Sequence, residues 1–172
     1  MPITISGSTG VAGVDGSAST PAVQGTDTNT GITFGSDTVN IVTGGTTRAT
    51  VDSSGNMQFN SGYGSVATAY GCRAWVNFNG TGTIAIRASA NVTSITDNGT
   101  GQYTVNLTTS IPDANYSVYT NSRYDVGTVG GAGNQFSSAS NLGTSSFKVW
   151  CTDNSAPDNV EDGFYVLCAI FR

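Results

Sequence analysis

The chain contains no histidine, and that absence removes the Ser-His-Asp and Cys-His triads together with the common zinc sites. No glycine-rich phosphate loop stands before a helical pattern either. The chemistry left open is a pair of carboxylates, the arrangement used in glycoside hydrolysis. The densest acidic run is DNSAPDNVED, which carries Asp153, Asp158, Glu161 and Asp162. Its oxygens suit calcium in kind, but their spacing matches no EF-hand. As a solvated loop between two apolar strands the run needs no further role. The expectation is therefore a non-enzymatic protein with no cofactor and no metal.

A second stretch offers binding in place of catalysis. YTNSRYDVGTVGGAGNQFSSASNLGTSS, residues 119–146, reads as a long connection between two good strands. Connections of this length in compact domains tend to be functional or disordered. This one sets Tyr119, Tyr124 and Phe136 beside Arg123, Asp125 and several Asn. Flat apolar rings with directional hydrogen-bonding groups are what a saccharide site requires. The competing reading is a variable connector whose rings only pin it to a sheet.

Composition excludes several partners. Charged residues make up 10% of the chain, and the net charge is −5. Six basic residues (Arg48, Arg73, Arg87, Arg123, Lys148 and Arg172) are scattered singly, where phosphate binding needs them clustered. No nucleic-acid partner is expected. No apolar run approaches the roughly 20 residues that span a membrane, and MPITISGSTG has neither the basic nor the apolar region of a secretory signal. Folding in a cytoplasm is expected. Three cysteines, Cys72, Cys151 and Cys168, make no disulfide framework. The last two lie in apolar strands, where a buried thiol behaves as a small hydrophobe. Whether they pair is left open.

The elements that would position these residues are all strands. Gly, Ser, Thr and Asn dominate, and nowhere do three turns of helical periodicity run together. Residues 1–30 lack aromatics and cannot bury enough apolar surface to offset about 1–2 kcal/mol per residue of backbone ordering. They read as an extended arm whose Ile3, Ile5, Val11, Val14 and Val23 dock on another protein. Residues 31–71 read as a thin β-hairpin neck, with Gly44-Gly45 as a two-residue hairpin turn, followed by a Gly/Ser-rich joint. So small a sheet is marginal alone, and association with copies of itself would cover its apolar face.

Residues 72–172 read as an antiparallel β-sandwich of seven strands. In SITDNGTGQYTVNL, residues 94–107, Asp97–Gly101 is turn chemistry and Tyr103, Val105 and Leu107 alternate with polar residues. The expected core includes Trp75, Phe78, Ile86, Tyr103, Val105, Phe147, Val149, Val166 and Ile170. The last strand, FYVLCAIF, is apolar on both faces, whereas an antiparallel strand usually has one wet face. Tyr165, Leu167 and Phe171 on its second face are the expected subunit interface.

The run AWVNFNGTGTIAIRASANVTSITDNGTGQYTVNLTTSIPDANYSV, residues 74–118, resembles a segment of tail-fibre and other virion structural proteins of tailed bacteriophages, especially marine and cyanobacterial ones. GVDGSASTPAVQGTDTNTGITFGSDTVNIVTGGTTRATVDSSGN, residues 13–56, resembles the N-terminal part of such proteins. The resemblance implies a homotrimeric, β-rich virion appendage assembled in the host cytoplasm, without enzymatic activity in these segments. On that expectation the arm binds another virion protein, and the head attaches to a host surface glycan as a short tail fibre. The alternative is a capsid decoration or cement protein.

Overall fold

The computed structural model describes residues 4–6, 10–12, 14–60, 66–124, 134–153 and 159–172. Every regular element among them is a β-strand, so the expected all-β class holds. No helix among them is long and apolar enough to cross a membrane. The chain divides into two compact units, Met1–Ala69 and Tyr70–Arg172.

In the first unit, β1 (Thr4–Ser6) and β2 (Gly10–Ala12) form a short ribbon with Ile5 opposite Val11. β3 (Gly16–Ser17) and β4 (Thr20–Pro21) form another. Six strands then make an antiparallel meander: β5 (Val23–Gln24), β6 (Gly31–Gly35), β7 (Thr38–Thr43), β8 (Thr46–Val51), β9 (Met57–Phe59) and β10 (Ala67–Thr68). Gly44 and Gly45 both take positive φ, 57° and 70°, which a two-residue hairpin turn of type I′ demands. At the next turn the Asp52 carboxylate accepts the N–H groups of Asn56 and Ser54, at 2.9 and 3.0 Å. Those bonds, Asn56 foremost, hold its carboxyl below the usual carboxylate range.

Residues 14–30 have more structure than a bare arm. The N–H of Phe34 donates to Asp15 O and that of Gly45 to Asn29 O, each at 2.8 Å, and Pro21 is buried. This segment is organised by main-chain bonds to β6 and the β7–β8 turn, so a search for apolar side chains does not find it.

The second unit is one eight-stranded antiparallel sheet. Its strands are β11 (Cys72–Asn79), β12 (Ala85–Ala90), β13 (Val92–Gly99), β14 (Gln102–Leu107), β15 (Ser117–Arg123), β16 (Asn134–Ser140), β17 (Ser146–Asp153) and β18 (Tyr165–Phe171). The spatial order is β12-β11-β18-β15-β16-β17-β14-β13. Its two edge strands, β12 and β13, are separated in the chain by Asn91 alone. That residue is left-handed, with φ 55°, a conformation Asn tolerates better than most L-residues. Its side chain donates to Arg73 O and Thr109 O, at 3.2 and 3.1 Å, and accepts the Thr109 N–H at 2.8 Å. The sheet thus doubles over into two four-stranded leaves, the expected sandwich.

Alternate residues of each leaf point inward. Val76 and Phe78 on β11, Tyr103 and Val105 on β14, Phe147 and Val149 on β17, and Val166 and Ile170 on β18 are buried together. The Phe78 and Tyr103 rings meet edge to face with centroids 5.1 Å apart, a favoured geometry for aromatic pairs. Two expected core residues lie elsewhere: Trp75 is 41% and Ile86 36% exposed. A bulge between Asn77 and Phe78 shifts the pairing of β12, and Trp75 takes the outward phase of β11. The expected connection over 119–146 is also partly strand. β15 runs to Arg123, and β16 pairs with β17 over six residues, from Gln135 opposite Asp153 to Ser140 opposite Lys148.

The segment before β18 is tied down by polar bonds. The Asp162 carboxylate accepts the Gly101 N–H at 2.7 Å and the Tyr103 hydroxyl at 2.8 Å. Gly80 N–H donates to Gly163 O at 2.8 Å. Burial, with Asp162 beside it, holds the Tyr103 phenol proton far above its ordinary range. Gly101 is left-handed, and a Cβ there would lie 2.5 Å from Cys151 O. Asp162→Ala leaves the part-buried Gly101 N–H without its acceptor and the Tyr103 hydroxyl with Gly80 O alone, at 3.1 Å, which costs about 1–3 kcal/mol. Denaturant unfolding is expected to show that loss in its midpoint, while Asp97→Ala at the exposed end of β13 shifts it less.

Candidate functional site

The outer faces of the two leaves differ in kind. On the leaf β16-β17-β14-β13 the outward residues are mostly hydroxyls and amides bonded to one another. Asn106 Nδ2 donates to Ser94 Oγ and Thr96 Oγ1, Asn98 Nδ2 to Thr104 Oγ1, and Trp150 Nε1 to Ser140 Oγ. On the leaf β12-β11-β18-β15 the outward residues are aromatic, small and amide. Strand register arranges them in rows.

One row runs Ala90, Trp75, Ala169, Tyr119 across the four strands, and the next runs Ala88, Asn77, Leu167, Asn121. Trp75 and Tyr119 therefore stand on either side of β18, two strand spacings or about 10 Å apart. Ala169 lies between them with one methyl group. Tyr119 is 61% exposed, so its ring is available to a ligand. Register thus sets a slot between two partly exposed aromatic residues, with the small Ala169 between them. Asn77 and Asn121 sit about 7 Å further along the strands, the distance of two residues.

A cation lies further along the same face. The Arg87 guanidinium carbon lies 4.5 Å from the Tyr165 ring centroid and 4.6 Å from that of Phe164, within cation–π range. Arg87 Nη1 also reaches Asn77 Oδ1 at 3.4 Å. The two rings meet edge to face at 4.9 Å. Arg123 lies opposite Tyr165 on β15. Flat apolar walls, amides and two guanidinium groups can stack against a ring with C–H faces and hydrogen-bond its hydroxyl or carboxylate substituents.

The sequence-predicted residues distribute over this frame unevenly. Tyr119 and Arg123 lie on β15 and Tyr124 immediately after it, exposed at its end. Asp125 lies outside the described residues. Phe136 is exposed on β16, opposite Thr152 on the other leaf. Tyr165, Leu167 and Phe171 do line the outward face of β18, each partly exposed, while Val166, Cys168 and Ile170 face the core. They share that face with Tyr119, so a subunit laid over them would cover the slot. Of the docking residues, Ile3 lies outside the described residues, and Ile5 and Val11 pair in the first ribbon. Val14 is 37% and Val23 55% exposed, Val23 as the partner of Ile32.

Trp75, Asn77, Arg87 and Asn121 were not found from sequence as site residues. Alternation in RAWVNFN does separate Trp75 and Asn77 from Ala74, Val76 and Phe78. The pairing of β11 and β15 on either side of β18 is what brings them beside Tyr119, and no local pattern carries that pairing. In the acidic run, Asp158 lies outside the described residues. Glu161 is held by main-chain bonding of its N–H to Cys151 O at 3.0 Å.

No family model and no curated protein matches this chain. A solved structure similar to it is the phiAB6 tailspike in complex with three-repeated oligosaccharides of Acinetobacter baumannii surface polysaccharide, with 15% sequence identity and a TM-score of 0.45 over 89% of this chain. The chain spans 39% of that tailspike chain.

All three cysteines are free thiols, Cys72 exposed and Cys151 and Cys168 buried. Burial pushes the Cys151 thiol up to about 11 and raises Cys168 as well. Since the thiolate is the reactive form, a maleimide at neutral pH is expected to label Cys72 alone in the folded protein. All three should label in denaturant, as intact-mass measurement will show.

Proposed function

We propose that this chain is a virion structural protein of the tailed-bacteriophage type, a short homotrimeric tail appendage whose C-terminal sandwich attaches to a host surface glycan. The observation that carries the attachment is the Trp75–Ala169–Tyr119 row, two exposed aromatic walls over a small residue. The resemblance of residues 74–118 to tail-fibre segments supports the same reading. Trp75 and Tyr119 stack on the two sides of a sugar ring. Asn77 and Asn121 orient it through hydroxyl groups, and Arg87 and Arg123 favour an acidic substituent.

Attachment proceeds without cleavage. In the acidic run, the Asp162 carboxylate is taken up by the Gly101 N–H and the Tyr103 phenol, a structural role within the sheet. The N-terminal residues around Ile3, Ile5, Val11 and Val14 dock on a neighbouring virion protein, with three arms of one trimer raising the effective concentration of each.

Trp75→Ala and Tyr119→Ala are each expected to weaken binding to host cells or their purified surface polysaccharide about tenfold or more, equivalent to at least about 1.4 kcal/mol. Both side chains are partly exposed, so unfolding free energy should change by about 1 kcal/mol or less. Phe136→Ala, on the other leaf, should bind as the unmodified protein does. Normal binding by both slot variants sinks the attachment site and favours a capsid-decoration role.

A further inference from the structure

We infer that the six-stranded sheet of the first unit is a self-association surface, its apolar face covered by the same face of other copies of this chain. Register places nearly all the apolar side chains of this sheet on one side. One row crosses all six strands as Val23, Ile32, Ile41, Ala49, Phe59 and Ala67. The adjacent row crosses four as Phe34, Val39, Val51 and Met57. The eight large side chains among them are 37–55% exposed.

The opposite side is polar and already satisfied. Its row runs Thr33, Asn40, Thr50, Gln58 and Thr68. Asn40 Nδ2 donates to Thr33 Oγ1 at 3.2 Å, Thr50 Oγ1 to Asn40 Oδ1 at 2.7 Å, and Gln58 Nε2 to Asp52 Oδ2 at 2.8 Å. The β3–β4 ribbon lies on this side: a Cβ on Gly31 would come within 2.9 Å of Pro21 Cβ. Thr33 and Val42 are buried there. The unit therefore shields its polar side and leaves its apolar side to water, the reverse of what a monomeric single-layer sheet requires.

Size and chemistry identify the occupant. At those exposures the eight side chains present on the order of 600 Å² of apolar surface, at the upper end of what a monomer usually shows in one patch. Counted over two copies, that reaches about 1,200 Å², the lower bound of stable interfaces. The two rows contain no charge and no side-chain hydrogen-bonding group, so the matching surface must be equally uncharged and flat. The same rows on a second copy are that surface. This inference does not depend on the glycan reading, and it moves the main subunit contact from the outer face of β18 to the first unit.

Light scattering of the full chain is expected to give two or more times the 17.5 kDa chain mass. Ile41→Glu, at the centre of the apolar face, should convert that species to monomer while unit two keeps its β-rich spectrum and cooperative melting. Leu167→Glu should leave the mass unchanged. Because a buried glutamate can also prevent folding, a milder pair of variants is read in a Cys72→Ser background. With added oxidant, Ile41→Cys should cross-link between chains, and Thr50→Cys, on the polar side, should not. A monomeric unmodified chain overturns the inference, as does dissociation by Leu167→Glu but not Ile41→Glu, or equal cross-linking of the two cysteine variants.

Discussion

The second unit is organised by the pairing of β18 on both of its edges. Tyr165–Phe171 is hydrogen-bonded to β11 on one side and to β15 on the other along nearly its whole length. A strand in that position has no free edge, and its alternation serves two environments at once. Val166, Cys168 and Ile170 close the core, while Ala169 lies between Trp75 and Tyr119 and Leu167 between Asn77 and Asn121. Slipping its register by one residue would exchange the two sets, burying tyrosine and phenylalanine where valine and cysteine now fit. The bonds from Asp162 to Gly101 and Tyr103, and from Gly80 to Gly163, lie at the start of β18. They set its phase against β11 and β14, and with it the geometry of the outer face.

The local features of this fold were legible in the amino-acid sequence, and the pairing of distant strands was not. Gly44-Gly45 and Asp97–Gly101 marked turns because positive φ selects glycine and because a short carboxylate can cap its own backbone, as Asp97 does for the Gly99 N–H at 2.9 Å. The two-faced alternation of β18 was equally plain. NQFSSAS was not recognisable as β16, because Gln135, Ser137 and Ala139 take positions where a strand signal needs large apolar residues. Residues 14–30 were hidden for a related reason, since their order comes from main-chain bonds that any residue can make.

The site suffered from the same limit. Residue type alone groups Tyr119, Arg123 and Tyr124, and the register puts the first two opposite Ala169 and Tyr165 of β18. Phe136 was selected with them because it was close in sequence, yet β16 carries it onto the other leaf. Hydrophobicity alone puts Trp75 in the core, whereas alternation with Ala74 and Val76 turns it outward. Its place beside Tyr119 follows only from β11 and β15 flanking the same strand.

The two exposed apolar faces of this chain have different compositions, and composition separates their partners. The face of the first unit offers aliphatic side chains, phenylalanine and methionine in two unbroken rows. A surface with no polar group gains from burial only against another that loses none, because any polar group brought to it would be desolvated without a partner. The outer face of β18 interleaves its rings with Asn77, Asn121 and the guanidinium of Arg87. Covering those groups with a flat apolar subunit would strand their donors, whereas a ligand carrying hydroxyls or a carboxylate satisfies them. Desolvation cost thus separates the two faces: a dry face suits an equally dry surface, as in the self-association we propose, and a mixed face suits a polar, ring-shaped ligand, as in the attachment we propose.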